Sequence, residues 1–479
     1  MAITLRAAIC ATLSALVLAS CSHAALSGRA VSMLYDPDRV GGLAVSDGPS
    51  GPRDVPPPVT DRVHNTDGGD DDRLALFAID DIEDFWQHHY SEAFSGAFSP
   101  VSTLLSYDSD DRFGPTVCGN KTYGNTNAMY CHRNDTLAWD RGSLIRTARK
   151  YFGDMAVNAL LAHEYGHAVQ RMAKLIHHWT PTLVREQQAD CLSGVYLRWV
   201  AGGESPRFQL STGDDLSHIL AGAIVIRDPI SSPTEASSSG DPHGTALDRV
   251  TALQRGFDSG AEACGEIDSD EIQQRRGDLP SSLFESESQQ SDVGIDDDTL
   301  STMMELLGKI FAPADPPTLS SAGTSCNPAG GTQPVVYCPS INTLAVNMPA
   351  LQQLGAPSDE SQLGLPQGDN TALSVFTSRY VLALQHDRGL SLDSALTGMR
   401  AACLTGVAQR NMAEPMALPS GKMLVLGAGD LDEAISGLLT NGLVASDVNG
   451  TAVPAGFSRI FAFHSGLLSS AGQCYQRFS

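Results

Sequence analysis

Four blocks of this sequence return in the same order in its second half, and each copy carries four cysteines at matching places. Tyr130-Cys131, followed by Thr136-Leu137-Ala138, returns as Tyr337-Cys338, followed by Thr343-Leu344-Ala345. Gly153-Asp154, Tyr165, Ala168 and Gln170 return at a constant offset of 215 as Gly368-Asp369, Tyr380, Ala383 and Gln385. Cys191-Leu192 with Gly194-Val195 returns as Cys403-Leu404 with Gly406-Val407. Arg249, Ala252, Gly256, Ser259, Ala261 and Cys264 return at offset 210 as Arg459, Ala462, Gly466, Ser469, Ala471 and Cys474. Two Ala-rich helices can look alike by chance, but four blocks in a kept order predict a degenerate internal repeat.

The 479 residues are enough for two or three domains at roughly 100–200 residues each, and 42% hydrophobic content suits globular cores. Residues 21–73 are rich in Gly, Pro, Asp and Ser, with Pro56-Pro57-Pro58 and Asp70-Asp71-Asp72, and read as a tether. Helical periodicity begins at Leu74 and runs through Phe77, Ile82, Phe85 and Trp86. An acidic, Ser- and Gln-rich stretch at 267–296 reads as a linker, so the expected domains are 74–266 and 297–479. Of ten cysteines, Cys10 and Cys21 lie at the N-terminus and eight remain, an even number that suits disulfides. The repeat narrows the 105 connectivities of eight cysteines to one economical set: Cys118–Cys131, Cys191–Cys264, Cys326–Cys338 and Cys403–Cys474.

Disulfides need an oxidising compartment, and the N-terminus points to one. Residues 1–20 carry Arg6 and then a short apolar stretch, the pattern of a secretion signal too short to span a membrane. The signal ends in Leu18-Ala19-Ser20-Cys21, which resembles the bacterial lipobox and implies acylation at Cys21. An ordinary cleaved signal with a nearby Cys is the plainer reading. Either way the chain is expected to be exported, and on the first it is a membrane-anchored lipoprotein on the outer face of the bacterial plasma membrane or cell envelope. The formal charge is −24, or −25 once residues 1–20 with their single Arg are removed. Such acidity disfavours binding to nucleic-acid phosphates or to an anionic membrane surface.

Residues 154–178 consist of good helix formers with apolar residues at helical spacing, halted by Trp179-Thr180-Pro181. Within this run lies His163-Glu164-Tyr165-Gly166-His167. Residues four apart share a helix face, so both imidazoles can point at one ion while Glu164 reaches a water beside it. A catalytic zinc usually takes three protein ligands, so a third should follow on a neighbouring element. After Pro181 a second predicted helix carries Glu186 and Asp190, four apart, with eighteen residues between His167 and Glu186 to make the turn. Two like charges at this spacing repel on an exposed face, which leaves a solvated surface pair as the bland alternative.

The pair resembles the Glu-ligand zinc peptidases, in which E-x-x-x-D follows H-E-x-x-H. That resemblance implies Glu186 as the third ligand and Asp190 as the acceptor that orients a ligand His. More widely, HEYGHAVQ, EQQADCLSGV and HGTALDRVTALQRGFDSGAEAC (residues 243–264) resemble the bacterial putative neutral zinc metallopeptidase family, over most of 82–266. The paired Cys118 and Cys131 ahead of the metal helix fit the same order. What this implies is a mainly α, zincin-like catalytic domain with a minor β part, one zinc ion per chain, and peptide or protein substrates.

Zinc with an open position would activate a water, and Glu164 would take its proton and pass it to the leaving amine. For oxyanion stabilisation His243 is a candidate, with His177, His178, Tyr165 and Tyr196 as alternatives that also suit structural or surface roles. His88 and His89 read as helix surface. In the second copy Ser378, Arg379 and Leu382 stand where His163, Glu164 and His167 do, and Gly398 and Ala402 where Glu186 and Asp190 do. That copy is expected to bind no zinc. The leading expectation is an exported, lipid-anchored zinc peptidase; the alternative is a cell-envelope binding or assembly lipoprotein without activity. Thiol chemistry at Cys191 is disfavoured, because neighbouring Asp190 would raise its pKa and its counterpart Cys403 suggests a disulfide.

Overall fold

The computed structural model describes residues 35–56, 58–227, 243–284, 292–321 and 333–479. The signal, Cys10, Cys21 and Cys326 lie outside these. Helices dominate and the sheet content is small, so the chain is mainly α with a minor β part. Among the described residues, no helix is long and apolar enough to cross a membrane.

The stretch expected as a tether is packed from Tyr35 onward. Strands β1 (Arg39–Val40) and β2 (Leu43–Ala44) form a hairpin that buries Val40, and Ser458 donates to the carbonyl of Arg39. Strand β3 (Gly51–Pro52) pairs with a later strand at Phe208–Gln209, and β4 (Val63–His64) joins the main sheet. Asp70, Asp71 and Asp72 form the first turn of helix α1 (Asp70–Ala93). Composition misled here because acidic residues, which resemble a solvated run, also stabilise a helix N-terminus. Asp72 is fully buried and accepts from the Trp139 indole at 2.9 Å.

The main sheet has the order β4, β5 (Thr103–Tyr107), β9 (Thr136–Asp140), β8 (Ala128–Cys131), with the small hairpin β6 (Thr116–Val117) and β7 (Asn120–Lys121) beside it. β5 runs parallel to β9, and β8 antiparallel to it, which leaves β8 at an edge. Helices α2 (Leu144–Phe152), α3 (Asp154–Ala173) and α4 (Thr182–Ala201) follow, then β10 (Phe208–Gln209), α5 (Asp214–Val225), α6 (Ala246–Ser259), α7 (Ala261–Gly265) and α8 (Ser269–Arg275). The helix expected over 154–178 stops at Ala173, where Lys174 takes the left-handed conformation (φ 57°) and the chain turns towards Pro181.

The second half opens with α9 (Asp297–Phe311) and β11 (Thr318–Ser320), which pairs parallel to β13 (Thr343–Val346), while β12 (Val335–Cys338) pairs antiparallel to β13. The same order of parallel and antiparallel pairing thus recurs. Helices α10 (Met348–Leu354), α11 (Asp369–Asp387), α12 (Ala395–Met412), α13 (Asp430–Thr440), α14 (Gly456–Leu467) and α15 (Ala471–Arg477) complete the chain. Disulfides Cys191–Cys264 and Cys403–Cys474 tie α4 to α7 and α12 to α15, and Cys118–Cys131 secures the end of β8. Cys338 is disulfide-bonded as well.

The halves do not stand apart on a linker. Residues 33–479 form one unit, and a single apolar cluster runs from Val40 to Phe478. Within the expected linker Ile267, Ile272, Leu279 and Leu283 are buried, and α8 packs Arg275 against Gln187 of α4 at 2.9 Å. Between the halves, the Phe257 and Phe457 rings pack with centroids 5.0 Å apart and planes tilted by 51°, and Gln254 donates to the Phe457 carbonyl at 2.8 Å. The second half covers apolar faces that the first half alone would leave in water.

Candidate metal centre

Helices α3 and α4 approach closely at a glycine between the two histidines. A Cβ on Gly166 would lie 3.1 Å from Ala189 Cα, tighter than ordinary contact, so the lack of a side chain there lets α4 settle against the histidine face. Glu186 and Asp190, one turn apart on α4, flank that contact. His163 Nε2 lies 3.2 Å from Glu186 Oε2, and His167 Nε2 lies 3.6 Å from Glu186 Oε1. One ligand atom from each of His163, His167 and Glu186 falls within 4.8 Å of the others.

Each ring is held by its other nitrogen. His163 Nδ1 sits 2.8 Å from Asp190 Oδ1, and His167 Nδ1 sits 2.9 Å from Gln170 Oε1. Such contacts hold a proton on Nδ1 and turn both Nε2 atoms towards Glu186. Asp190 Oδ1 also accepts from Arg249 Nη2 at 2.8 Å, and Gln170 is anchored by the Arg185 carbonyl and by Gln188. Burial works against a charge on His163, yet Asp190 and Glu186 outweigh it and push the ring up to about 10. Burial would raise Glu186 too, but the two imidazoles hold it well below the usual carboxylate range. The cluster is built around a positive charge, and two neutral imidazoles with one carboxylate are the donor set of a catalytic zinc, so these residues fit the ion.

Glu164 lies beside the three. Burial raises its pKa, and its Oε2 accepts from the backbone N–H of Tyr130, on edge strand β8, at 3.0 Å. A half-buried carboxylate with a raised pKa, steadied by one backbone donor, is suited to accepting a proton.

The remaining candidates fall elsewhere. His243 is exposed ahead of α6, where its carbonyl accepts from Gln187 Nε2 at 3.3 Å, and it is not one of the three clustered ligands. Tyr165 donates to Glu83 at 3.2 Å and Tyr196 to Asp81 at 2.7 Å, both within the core. His177 and His178 pack on exposed Trp179. Sequence reasoning missed Arg249 as the partner of Asp190. Its signal was a charged side chain on the apolar face of α6, which is 2% exposed and so requires a counter-charge.

In the second half, Arg379, aligned with Glu164, is almost completely buried. Its guanidinium donates to the carbonyls of Asp447, Leu443 and Ser446 and to the Ser446 hydroxyl. Ser378 donates to the Val444 carbonyl at 2.9 Å, and Leu382 is core. A fixed cation bonded to a loop occupies this place.

Two imidazoles and a carboxylate on a tight helix pair, beside a half-buried glutamate, match the zinc-hydrolase class of site. Residues 30–267 match the family model described as putative neutral zinc metallopeptidase. No curated protein and no solved structure matches the chain.

Proposed function

We propose that this chain is an exported, lipid-anchored zinc peptidase with one catalytic centre, in its first half. The observation that carries the reading is the convergence of His163 Nε2, His167 Nε2 and a Glu186 oxygen within 4.8 Å, next to Glu164. His163, His167 and Glu186 would hold one zinc ion, which when bound supplies Lewis acidity to a water and to the scissile carbonyl. Glu164 takes the proton from that water and delivers it to the departing amine. Asp190 and Gln170 keep the imidazoles in the tautomer that presents Nε2. Edge strand β8 borders Glu164, and a sheet edge is where a peptide in extended form can lie alongside.

The second half is read as a degenerate copy that has exchanged its metal for Arg379. Matching sheet pairings and matching disulfides support this. Attachment through acylated Cys21 rests on the signal sequence.

The test is metal content and peptide hydrolysis of the protein from Ser22 onward, with Glu164→Gln and a chelated sample as controls. The reading expects about one zinc per chain, hydrolysis lost in both controls, and metal kept by Glu164→Gln. A folded protein that takes up no zinc overturns it in favour of a binding or assembly role.

A further inference from the structure

An apolar cavity of about 120 Å³ lies against the candidate metal centre, with His163 and Asp190 in its wall. His167 and Glu186 do not line it. Leu160 of α3, Ile219 of α5 and Leu253 of α6 give it an aliphatic surface. A cavity of roughly 150 Å³ with such walls admits a benzene-sized group, so this one suits a single apolar side chain. One wall residue comes from far along the chain: Leu363, in the second half.

Leu363 is not there by loose proximity. It follows a short 3₁₀ turn (Glu360–Gln362) and takes φ 63°, a left-handed conformation that a leucine adopts only when its surroundings hold it. Its N–H donates to the Glu360 carbonyl, and Gly364 N donates to the Asp359 carbonyl. The loop is moored to the first half by Arg227, just past α5, whose guanidinium donates to Glu360 at 2.8 Å and to Asp432 of α13 at 2.9 Å. Arg227 and Asp432 are both 3% exposed at their side chains, so the anchor is enclosed, while Glu360 at the loop end is 49% exposed.

We propose that this cavity receives an apolar side chain flanking the scissile bond, and that Leu363 sets how large that side chain can be. The degenerate half is then part of the substrate site, and peptides with an aliphatic or aromatic residue beside the cleaved bond are the substrate class. This inference rests on the peptidase reading, and its test separates the two. The protein from Ser22 onward, Leu363→Ala and Leu363→Trp are compared on quenched fluorescent peptides with one variable residue X (Gly, Ala, Leu, Phe) in a Gly/Ser frame. The same substitutions in a Glu164→Gln background are titrated calorimetrically with Gly-X-Gly tripeptides, which reads binding without turnover, and thermal unfolding confirms that each variant is folded.

Changes of a methylene or more in an apolar pocket alter discrimination by about tenfold or more. Leu363→Ala is therefore expected to raise the Phe-to-Leu ratio by about tenfold in kcat/KM and in affinity. Leu363→Trp is expected to move preference towards Gly and Ala by a similar factor. Altered binding ratios without any hydrolysis sustain the pocket and sink the peptidase. Hydrolysis with ratios unchanged in both folded variants, or tripeptide binding that does not depend on X, overturns the role of Leu363.

Discussion

Asp190 Oδ1 stands 2.8 Å from His163 Nδ1, and this contact decides which face His163 shows to the candidate metal. With a proton held on Nδ1, Nε2 points to Glu186. Removing the acceptor frees both the tautomer and the ring orientation. Asp190→Ala is expected to weaken zinc binding by about 10–100-fold. Competition against a graded chelator measures this, and an unfolding curve in parallel shows that the loss is in the metal rather than in the fold.

Arg249 presents the same oxygen with a buried counter-charge, also at 2.8 Å, and both side chains are almost fully enclosed. Burial alone would raise the Asp190 pKa, but Arg249 and then His163 lower it. Arg249→Leu leaves a buried carboxylate with one partner fewer. The expected cost is about 3 kcal/mol, read as a lower midpoint in urea unfolding of the metal-free protein. A loss near zero would mean that His163 alone satisfies Asp190.

The histidines, Glu164, Glu186 and Asp190 were legible because helix periodicity is local: all five lie within one helix–turn–helix, and spacing fixes their faces. Arg249 was not, since it meets Asp190 across 59 positions and only the fold brings them together. Strands β1 to β4 were missed for another reason. Each has two residues, too few to show an alternation, and they stand in a stretch whose Pro, Gly and Asp content is that of a spacer. The shared core of the two halves escaped because periodicity shows that a helix has an apolar face without showing what covers it. Leu363 carries no local signal at all.

Asp258, on α6, offers a pH test away from the metal centre. Burial pushes its carboxyl up to about 7, with Arg198 acting only partly against it. The unfolded value is about 4, so the folded chain holds this proton more tightly. Its contribution to stability is complete below about pH 4, is lost as pH rises to about 7, and is level above that. Asp258→Asn removes the dependence. The variant is expected to gain on the order of 2 kcal/mol over the parent at pH 8, and much less at pH 5, in urea unfolding at the two values. An equal difference at both would place the ionisation outside this window.

Gly256 of α6 marks where α6 and α4 come together. A Cβ there would fall 1.8 Å from the backbone carbonyl oxygen of Cys191, beside the disulfide to Cys264 and one residue from Asp190. The obstacle is backbone, so no side-chain rotation relieves it, and an added methyl must push the two helices apart. Gly466 meets the Cys403 carbonyl oxygen in the same way, at 1.9 Å, beside the disulfide to Cys474. Gly256→Ala and Gly466→Ala are each expected to cost about 3 kcal/mol, the upper part of what overpacking costs in a close-packed interior. The two should differ in function. Widening α4 from α6 displaces Asp190 from Arg249 and moves the wall of the apolar cavity, so Gly256→Ala should also weaken zinc binding. Gly466→Ala should leave zinc binding near that of the parent at temperatures where both are folded. Chelator competition on the two variants, read beside their urea midpoints, separates the outcomes. Equal loss of zinc affinity in both would mean that the second half supports the metal helices through the shared core.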